Sequence, residues 1–433
     1  MLYYSTQNPS HKATFKEATI QGQAPDRGLY FPEQIPTLPK EFLANIETFS
    51  KEEIALQVIQ PFIGDEIPHG VLKNIAAKTV DFHFPLVPVS ETIFALELFH
   101  GPTLAFKDVG ARFMSQCLGY FMQGENKNVT VLVATSGDTG GAVANGFYGV
   151  DGVDVIILYP SGKVSSIQEL QLTTLGKNIT ALEVDGTFDD CQRMVKAAFM
   201  DGDLKKALFL TSANSINIAR WLPQQFYYFF AYQQWKNKKQ PPVISVPSGN
   251  FGNICAGLMA YKTGLPIKHF IAACNANDSV PDYLQTGNYT AKPAVATLSN
   301  AMDVGDPSNF IRLLHLFDSN RDFIKNILSA YSVSDETTKE TLREIYEQER
   351  YVLDPHGAVG YYALQQYLQQ HAEQQGIFLE TAHPVKFYDV VEPVIDGNVP
   401  IPIAVQALFA KKKHSIKIAV SVEALKDFLM KRA

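Results

Sequence analysis

One lysine stands apart from the other basic residues of the chain. Lys107 sits in the run HGPTLAFKD at residues 100–108, after a Gly-Pro break and among apolar neighbours. An amine shielded from water loses its proton more readily and becomes a usable nucleophile or base. A surface lysine at a helix start, paired with Asp108, fits the same residues. Two glycine-rich loops offer a second kind of chemistry. PSGNFGN at 247–253 follows the apolar run VISV and precedes an apolar segment at 254–261. Its glycines allow a close backbone approach, and the unpaired N–H groups of a helix start suit a phosphate. It has neither the G-x-x-x-x-G-K-[ST] nor the G-x-G-x-x-G spacing, so a tight strand-to-helix turn stays open. TSGDTGG at 135–141 is alike: its hydroxyls and N–H groups suit a carboxylate or phosphate, or form a turn capped by Ser136 or Asp138. Thr381, in ETAHPVKF at 380–387, falls at the carboxyl end of the strand-like run IFL at 377–379. His356 and His383 invite a metal or acid–base reading. No H-E-x-x-H or C-x-x-C spacing accompanies them, so structural histidines and no metal are expected.

These residues need elements to hold them. Apolar runs at 128–135, 153–159, 179–184, 243–246 and 267–273 read as buried strands. Helical periods lie between and after them, for example at 189–200, 216–235 and 336–351. Strands alternating with helices predict an α/β fold of parallel sheets joined by crossover helices. Ligands bind outside the carboxyl ends of such strands, which is where the loops above fall. Three regions can be drawn: a mixed N-terminal part over 1–95, a first set of βα units over 96–240, and a second set over 241–433. KNKKQPP at 236–242 is either an exposed junction or a surface loop.

Composition narrows the class. The chain has 433 residues, 46% hydrophobic and 19% charged, which is globular and not disordered. A net charge of −7 with no long basic stretch argues against nucleic acid as a partner. The N-terminus has no basic and apolar secretory pattern, and the greasiest run, 226–232, is too short to span a membrane. The four cysteines, Cys117, Cys191, Cys255 and Cys274, are far apart in apolar contexts, so buried free thiols in a reducing, cytoplasmic setting are expected.

Taken in order, the segments resemble the threonine synthase family, fold-type II pyridoxal-phosphate (PLP) enzymes with a tryptophan synthase β-like architecture. The resemblance covers nearly the whole chain: GQAPDRGLYFP at 22–32, HGPTLAFKD, TSGDTG, SANSIN at 212–217, PSGNFGN, DPHGAVG at 354–360 and TAHPVKF at 381–387. It implies two parallel-sheet domains with an N-terminal extension. It also implies conversion of O-phospho-L-homoserine and water to L-threonine and phosphate, the last step of threonine biosynthesis. Lys107 matches the lysine that binds PLP covalently. Gly249, Asn250, Phe251, Gly252 and Asn253 match the loop around the PLP phosphate, and Thr381 matches the hydroxyl residue at the pyridine nitrogen. Ser136, Gly137, Asp138 and Thr139 match the loop for the substrate α-carboxylate. Many fold-type II relatives carry Asn where Asp138 stands, and an ionised Asp cannot donate as that amide does. Lys163 and Arg220 are the expected cations for the leaving phosphate. The resemblance implies a monomer or homodimer acting on a small molecule. Rival readings are a β-replacement or deaminating relative, a catalytically silent protein that binds PLP or a phosphoester, and a nucleotide-binding regulator.

Overall fold

The structure, a computed structural model, describes residues 1–125 and 128–432. The chain forms two compact units, each drawn from separate stretches. The first comprises Met1–Phe31, Lys107–Arg220 and Ile401–Ala433; the second comprises Pro32–Phe106 and Trp221–Pro400. The positions near 95 and 240 read from sequence both lie inside the second unit.

The first unit is built on a five-stranded sheet in the order Ile416–Ile418, Ile179–Val184, Val153–Pro160, Val129–Ala134, Phe209–Thr211. Every pair is parallel. The central strands are continuous Val/Ile/Leu runs, as strands covered on both faces require. Helix Phe188–Met200 starts at a capping box in which Thr187 and Asp190 satisfy each other's backbone N–H. It buries Cys191, Met194, Val195 and Ala198, a stripe at helical spacing, in one cluster with Leu132, Leu158, Leu182 and Leu429. Each such aliphatic side chain contributes about 1.5–3 kcal/mol of burial.

The second unit holds a six-stranded sheet ordered Leu328–Ser332, His269–Cys274, Val243–Pro247, Gly376–Glu380, Ile93–Glu97, Leu86–Pro88. Its central pairs are parallel and only the Leu86–Pro88 edge runs antiparallel. Helix Pro355–Gln369 begins with Asp354 as N-cap and Pro355 in its first turn, and packs Ala358, Val359, Ala363 and Leu364 against Val243, Ile271 and Phe378. The long helix read over 216–235 is instead three pieces, Ile218–Trp221, the 3-10 turn Leu222–Gln225 and Phe226–Gln234. Pro223 has no N–H to continue the ladder, which explains the break. Residues Phe226–Tyr232 are all buried, so this apolar run is core. The four cysteines are buried and unbridged. Among the described residues no helix is long and apolar enough to cross a membrane.

Candidate active site

In the second unit three adjacent parallel strands end side by side. Val243–Pro247 runs into the 248–253 loop, Gly376–Glu380 into Thr381, and Ile93–Glu97 into the segment that leads to Lys107. Glu380 pairs with Glu97 in register, so the last two ends are level.

The glycine-rich loop is held from behind. Ser248 N–H donates to the Ala273 carbonyl at 2.8 Å and its Oγ to Val246 O at 2.8 Å. Asn250 Oδ1 accepts from Ser308 N–H at 2.6 Å, and its carbonyl accepts from Asn309 Nδ2 at 3.1 Å. A Cβ added at Gly249 would lie 2.5 Å from Met302 Cα, so glycine is needed there for close approach to a neighbouring loop. The left-handed residue of the loop is Phe251, φ 61°, the N-cap of helix Gly252–Lys262. Asn253 lies in the first turn of that helix. Its Oδ1 accepts from Tyr228 O–H at 3.0 Å, which directs Nδ2 the other way. That Nδ2 is buried and donates to no group among the described residues. A donor kept dry at a helix N-terminus fits an anion, and a phosphate monoester satisfies it.

Thr381 is 6% exposed. Its carbonyl accepts from Phe106 N–H at 2.8 Å, Ala382 bridges Ala105, and His383 N–H donates to Leu104 O at 3.1 Å. Buried Lys386 donates to Thr103 O at 3.0 Å, and Tyr227 O–H donates to Phe106 O. The residues just before Lys107 are therefore stitched to those around Thr381. His356 accepts from Ala301 N–H, and His383 caps the following turn through Val385 N–H. Burial takes His383 down to about 4, so it stays neutral at pH 7.

In the first unit Lys107 opens helix Lys107–Phe121 and is half-buried. Again three adjacent strands, Val153–Pro160, Val129–Ala134 and Phe209–Thr211, run parallel and carry the residues 161–163, 135–139 and 212–220 at their carboxyl ends. The turn at 135–141 is capped by neither Ser136 nor Asp138. The buried Thr135 Oγ1 accepts from Gly137 N–H at 2.9 Å and Gly140 N–H at 2.8 Å. Asp138 is buried and its Oδ1 accepts from Gln168 Nε2 at 2.9 Å. Gly137, at φ 137°, lies against the same glutamine, where a Cβ would come within 2.4 Å. Ser136 and Thr139 are half-buried, and Lys163 is exposed on the turn after its strand. Arg220 is 3% exposed and its Nη1 donates to Ala213 O at 2.5 Å.

The sequence reading did not find Gln168, Tyr228, Met302 or Asn309. Each acts by touching a loop far away along the chain, and no local pattern marks such a contact. Arg312 was also missed: it lies over the Trp221 ring at 4.3 Å and donates to Asn309 Oδ1 at 2.7 Å, behind the loop that holds Asn250.

The chain matches three family descriptions: "Pyridoxal-phosphate dependent enzyme" over residues 85–379, "Threonine synthase N terminus" over 2–80 and "Threonine synthase, C-terminal" over 357–429. It is 45% identical to the threonine synthase of Haemophilus influenzae, with 100% of this chain and 99% of that protein aligned. It superposes on the crystal structure of threonine synthase from Escherichia coli with a TM-score of 0.93, 42% identity and full coverage of both chains. A PLP-bound threonine synthase from Brucella melitensis gives 0.93 and 33% identity, covering 100% of this chain and 99% of that one.

Proposed function

This chain belongs to the threonine synthase family of PLP-dependent enzymes, and we propose that Lys107 holds its cofactor and moves its protons. The reaction is the conversion of O-phospho-L-homoserine and water to L-threonine and phosphate. PLP, when bound, withdraws electrons from the substrate's α-carbon and so makes its proton removable. The loop 249–253 receives the cofactor phosphate on its backbone N–H groups and on Asn253 Nδ2. Thr381 offers a hydroxyl to the pyridine nitrogen, a partner that leaves this nitrogen largely uncharged. Ser136, Gly137, Asp138 and Thr139 take the substrate α-carboxylate, with Asp138 oriented by Gln168. Lys163 and Arg220 are the cations assigned to the leaving phosphate. The free Lys107 amine takes protons from Cα and Cβ and returns protons to the carbon skeleton, a general acid–base role.

The observation that carries the cofactor site is the buried Asn253 Nδ2, an amide donor aimed away from its own partner Tyr228 at a helix start. We assign residues 1–95 to an N-terminal threonine-synthase-type domain, 96–240 to the part with Lys107 and the substrate loop, and 241–433 to the part with the phosphate loop. A net charge of −7 and four unbridged thiols support a cytoplasmic enzyme that does not bind nucleic acid; the family resemblance implies a monomer or homodimer.

The reaction path has a sharp isotopic test. The original γ-carbon loses phosphate and ends as the methyl of threonine, so it must gain a proton. Turnover in D₂O should place deuterium at Cα and in the methyl group. Unphosphorylated homoserine should turn over poorly, since hydroxide is a bad leaving group. Threonine formed without methyl deuterium would rule the path out.

A further inference from the structure

Beside Thr381, the second unit buries a cluster of acids that the reaction above does not use. Glu380, the last residue of its strand, is 0% exposed, and so is Asp354. Glu380 Oε1 accepts from Asp354 N–H at 2.9 Å. Glu380 Oε2 is buried and meets no N–H or O–H donor among the described residues. It presses on helix Pro355–Gln369, where a Cβ at Gly357 would stand 1.6 Å from it. Both carboxyl groups are thus held, wholly buried, at the start of the same helix. Two carboxylates cannot bond; a carboxylic acid and a carboxylate can.

The donors around the pair say which group is the carboxylate. Asp354 Oδ1 accepts from His356 N–H at 2.6 Å and from His356 Nδ1 at 2.5 Å, while Oδ2 accepts from Ala382 N–H at 3.3 Å. His356 Nε2 accepts from Ala301 N–H at 3.2 Å, so the ring proton sits on Nδ1 and points at Asp354. Asp354 is thus surrounded by N–H donors, as an anion is. The charged neighbours that push Glu380 upward are carboxyl groups. Glu97 and Tyr351 adjoin it as well as Asp354, and Tyr351 O–H already donates to Glu97 Oε1 at 2.9 Å. Glu97 Oε2 takes His100 Nε2 at 2.7 Å.

We propose that Glu380 and Asp354 share one proton, with Glu380 the acid, and that this pair positions the strand end carrying Thr381. Asp354 grips Ala382 N–H, and Leu98 N–H grips the Glu380 carbonyl at 2.9 Å. Thr381 is fixed between them. Glu380 and Asp354 are positioning residues, and their role toward the cofactor rests on the reading of Thr381 given above.

The proton is tested by its linkage to folding. Burial and the neighbouring Asp354 push the Glu380 carboxyl well above its ordinary 4.5. Above that pH the unfolded chain gives up this proton while the folded protein keeps it, so stability falls as pH rises. Replacing Glu380 by glutamine, a neutral group of the same shape, removes the linkage. The melting temperature of the Glu380→Gln protein should therefore decline less steeply than that of the native protein between pH 5 and pH 8. An unchanged slope would overturn the shared proton. If Glu380→Gln does not fold, infrared spectroscopy of the native holoenzyme decides. A protonated-carboxyl band at neutral pH, shifted in D₂O, is required, and its absence is equally fatal.

Positioning is read from the cofactor. In Asp354→Asn the amide NH₂ would face an N–H donor of Ala382 or His356, so the strand end must shift. Its PLP affinity should fall about tenfold, the size of one lost charged hydrogen bond, and its visible band should move. Glu380→Gln should hold PLP within about twofold, and Glu380→Ala should not. Equal PLP affinity in all three variants would sink the positioning role. Thr381→Val keeps the two failures apart: if it leaves the cofactor band unmoved, the Thr381 reading fails, while the melting slopes still judge the shared proton.

Discussion

Lys107 is half-buried at a helix start, and the residues before it are fixed by hydrogen bonds from Thr103 to Phe106. Borohydride reduction of the holoenzyme and peptide mapping should place the pyridoxyl group on the Lys107 peptide. Finding it on Lys163 or Lys386 would sink the assignment. Lys386 is a poor rival, because its ammonium is buried and committed to Thr103 O. Gly249 carries a second prediction. In Gly249→Val the obstacle is Met302, whose Cα, C and O would all lie within 3.1 Å of the new Cβ. The variant should lose about 1–3 kcal/mol of stability by thermal or urea unfolding, even without cofactor, since backbone cannot step aside as a side chain does. Equal stability of the two apo proteins would show that the Met302 loop yields. The identity of this glycine was legible in the sequence, but the reason for it was not: Met302 is fifty-odd residues away and nothing near Gly249 announces it.

At the scale of elements, the loops fall where parallel strands end, and that was readable from the alternation of apolar runs with helical periods. Strand 179–184 was placed to the residue, because Ile-Thr-Ala-Leu-Glu-Val is bounded by polar turns. Strand 267–273 begins later, at His269, with the Lys268 N–H already donating to Pro242 O at 3.0 Å just ahead of the neighbouring strand. Strand Ile416–Ile418 was not legible at all: three exposed or half-exposed residues after a lysine run carry no strand signal, and only the edge of Ile179–Val184 recruits them. Nor does a run of letters show that Phe251 takes the left-handed conformation. That cost is measurable. Removing the ring, which is 3% exposed, should cost about 3–5 kcal/mol in Phe251→Ala. Phe251→Gly loses the same ring but relieves the backbone, so it should be the more stable of the two by about 1 kcal/mol. If alanine is the better tolerated, the left-handed N-cap is not strained.

For the molecule as a whole, the two units carry oppositely signed titrations. In the first unit Glu183 is buried and accepts from Lys413 Nζ at 2.8 Å, Ser161 Oγ at 2.7 Å and Ser415 Oγ at 2.8 Å. Lys413, and after it the hydroxyls, hold this carboxyl at about 2 against its ordinary 4.5. A depressed carboxyl stabilises the fold above the unfolded value and loses that contribution as pH falls through the folded one. The shift corresponds to roughly 3 kcal/mol, present at pH 7 and lost progressively between about pH 5 and pH 1. In the second unit Glu380 has the reverse sign: its carboxyl is raised, so its contribution is full below pH 4.5 and declines above it. Charge composition alone could not reveal this, because both residues count equally toward the net −7. Glu183→Gln should therefore lose stability at pH 7 and converge on the native protein as pH drops toward 2. Glu380→Gln should converge on it at the same acidic end and gain on it as pH rises. Melting curves of the two variants across pH 3 to 8 would then separate from the native curve in opposite directions. Parallel curves for both would mean that neither carboxyl titrates differently in the folded protein.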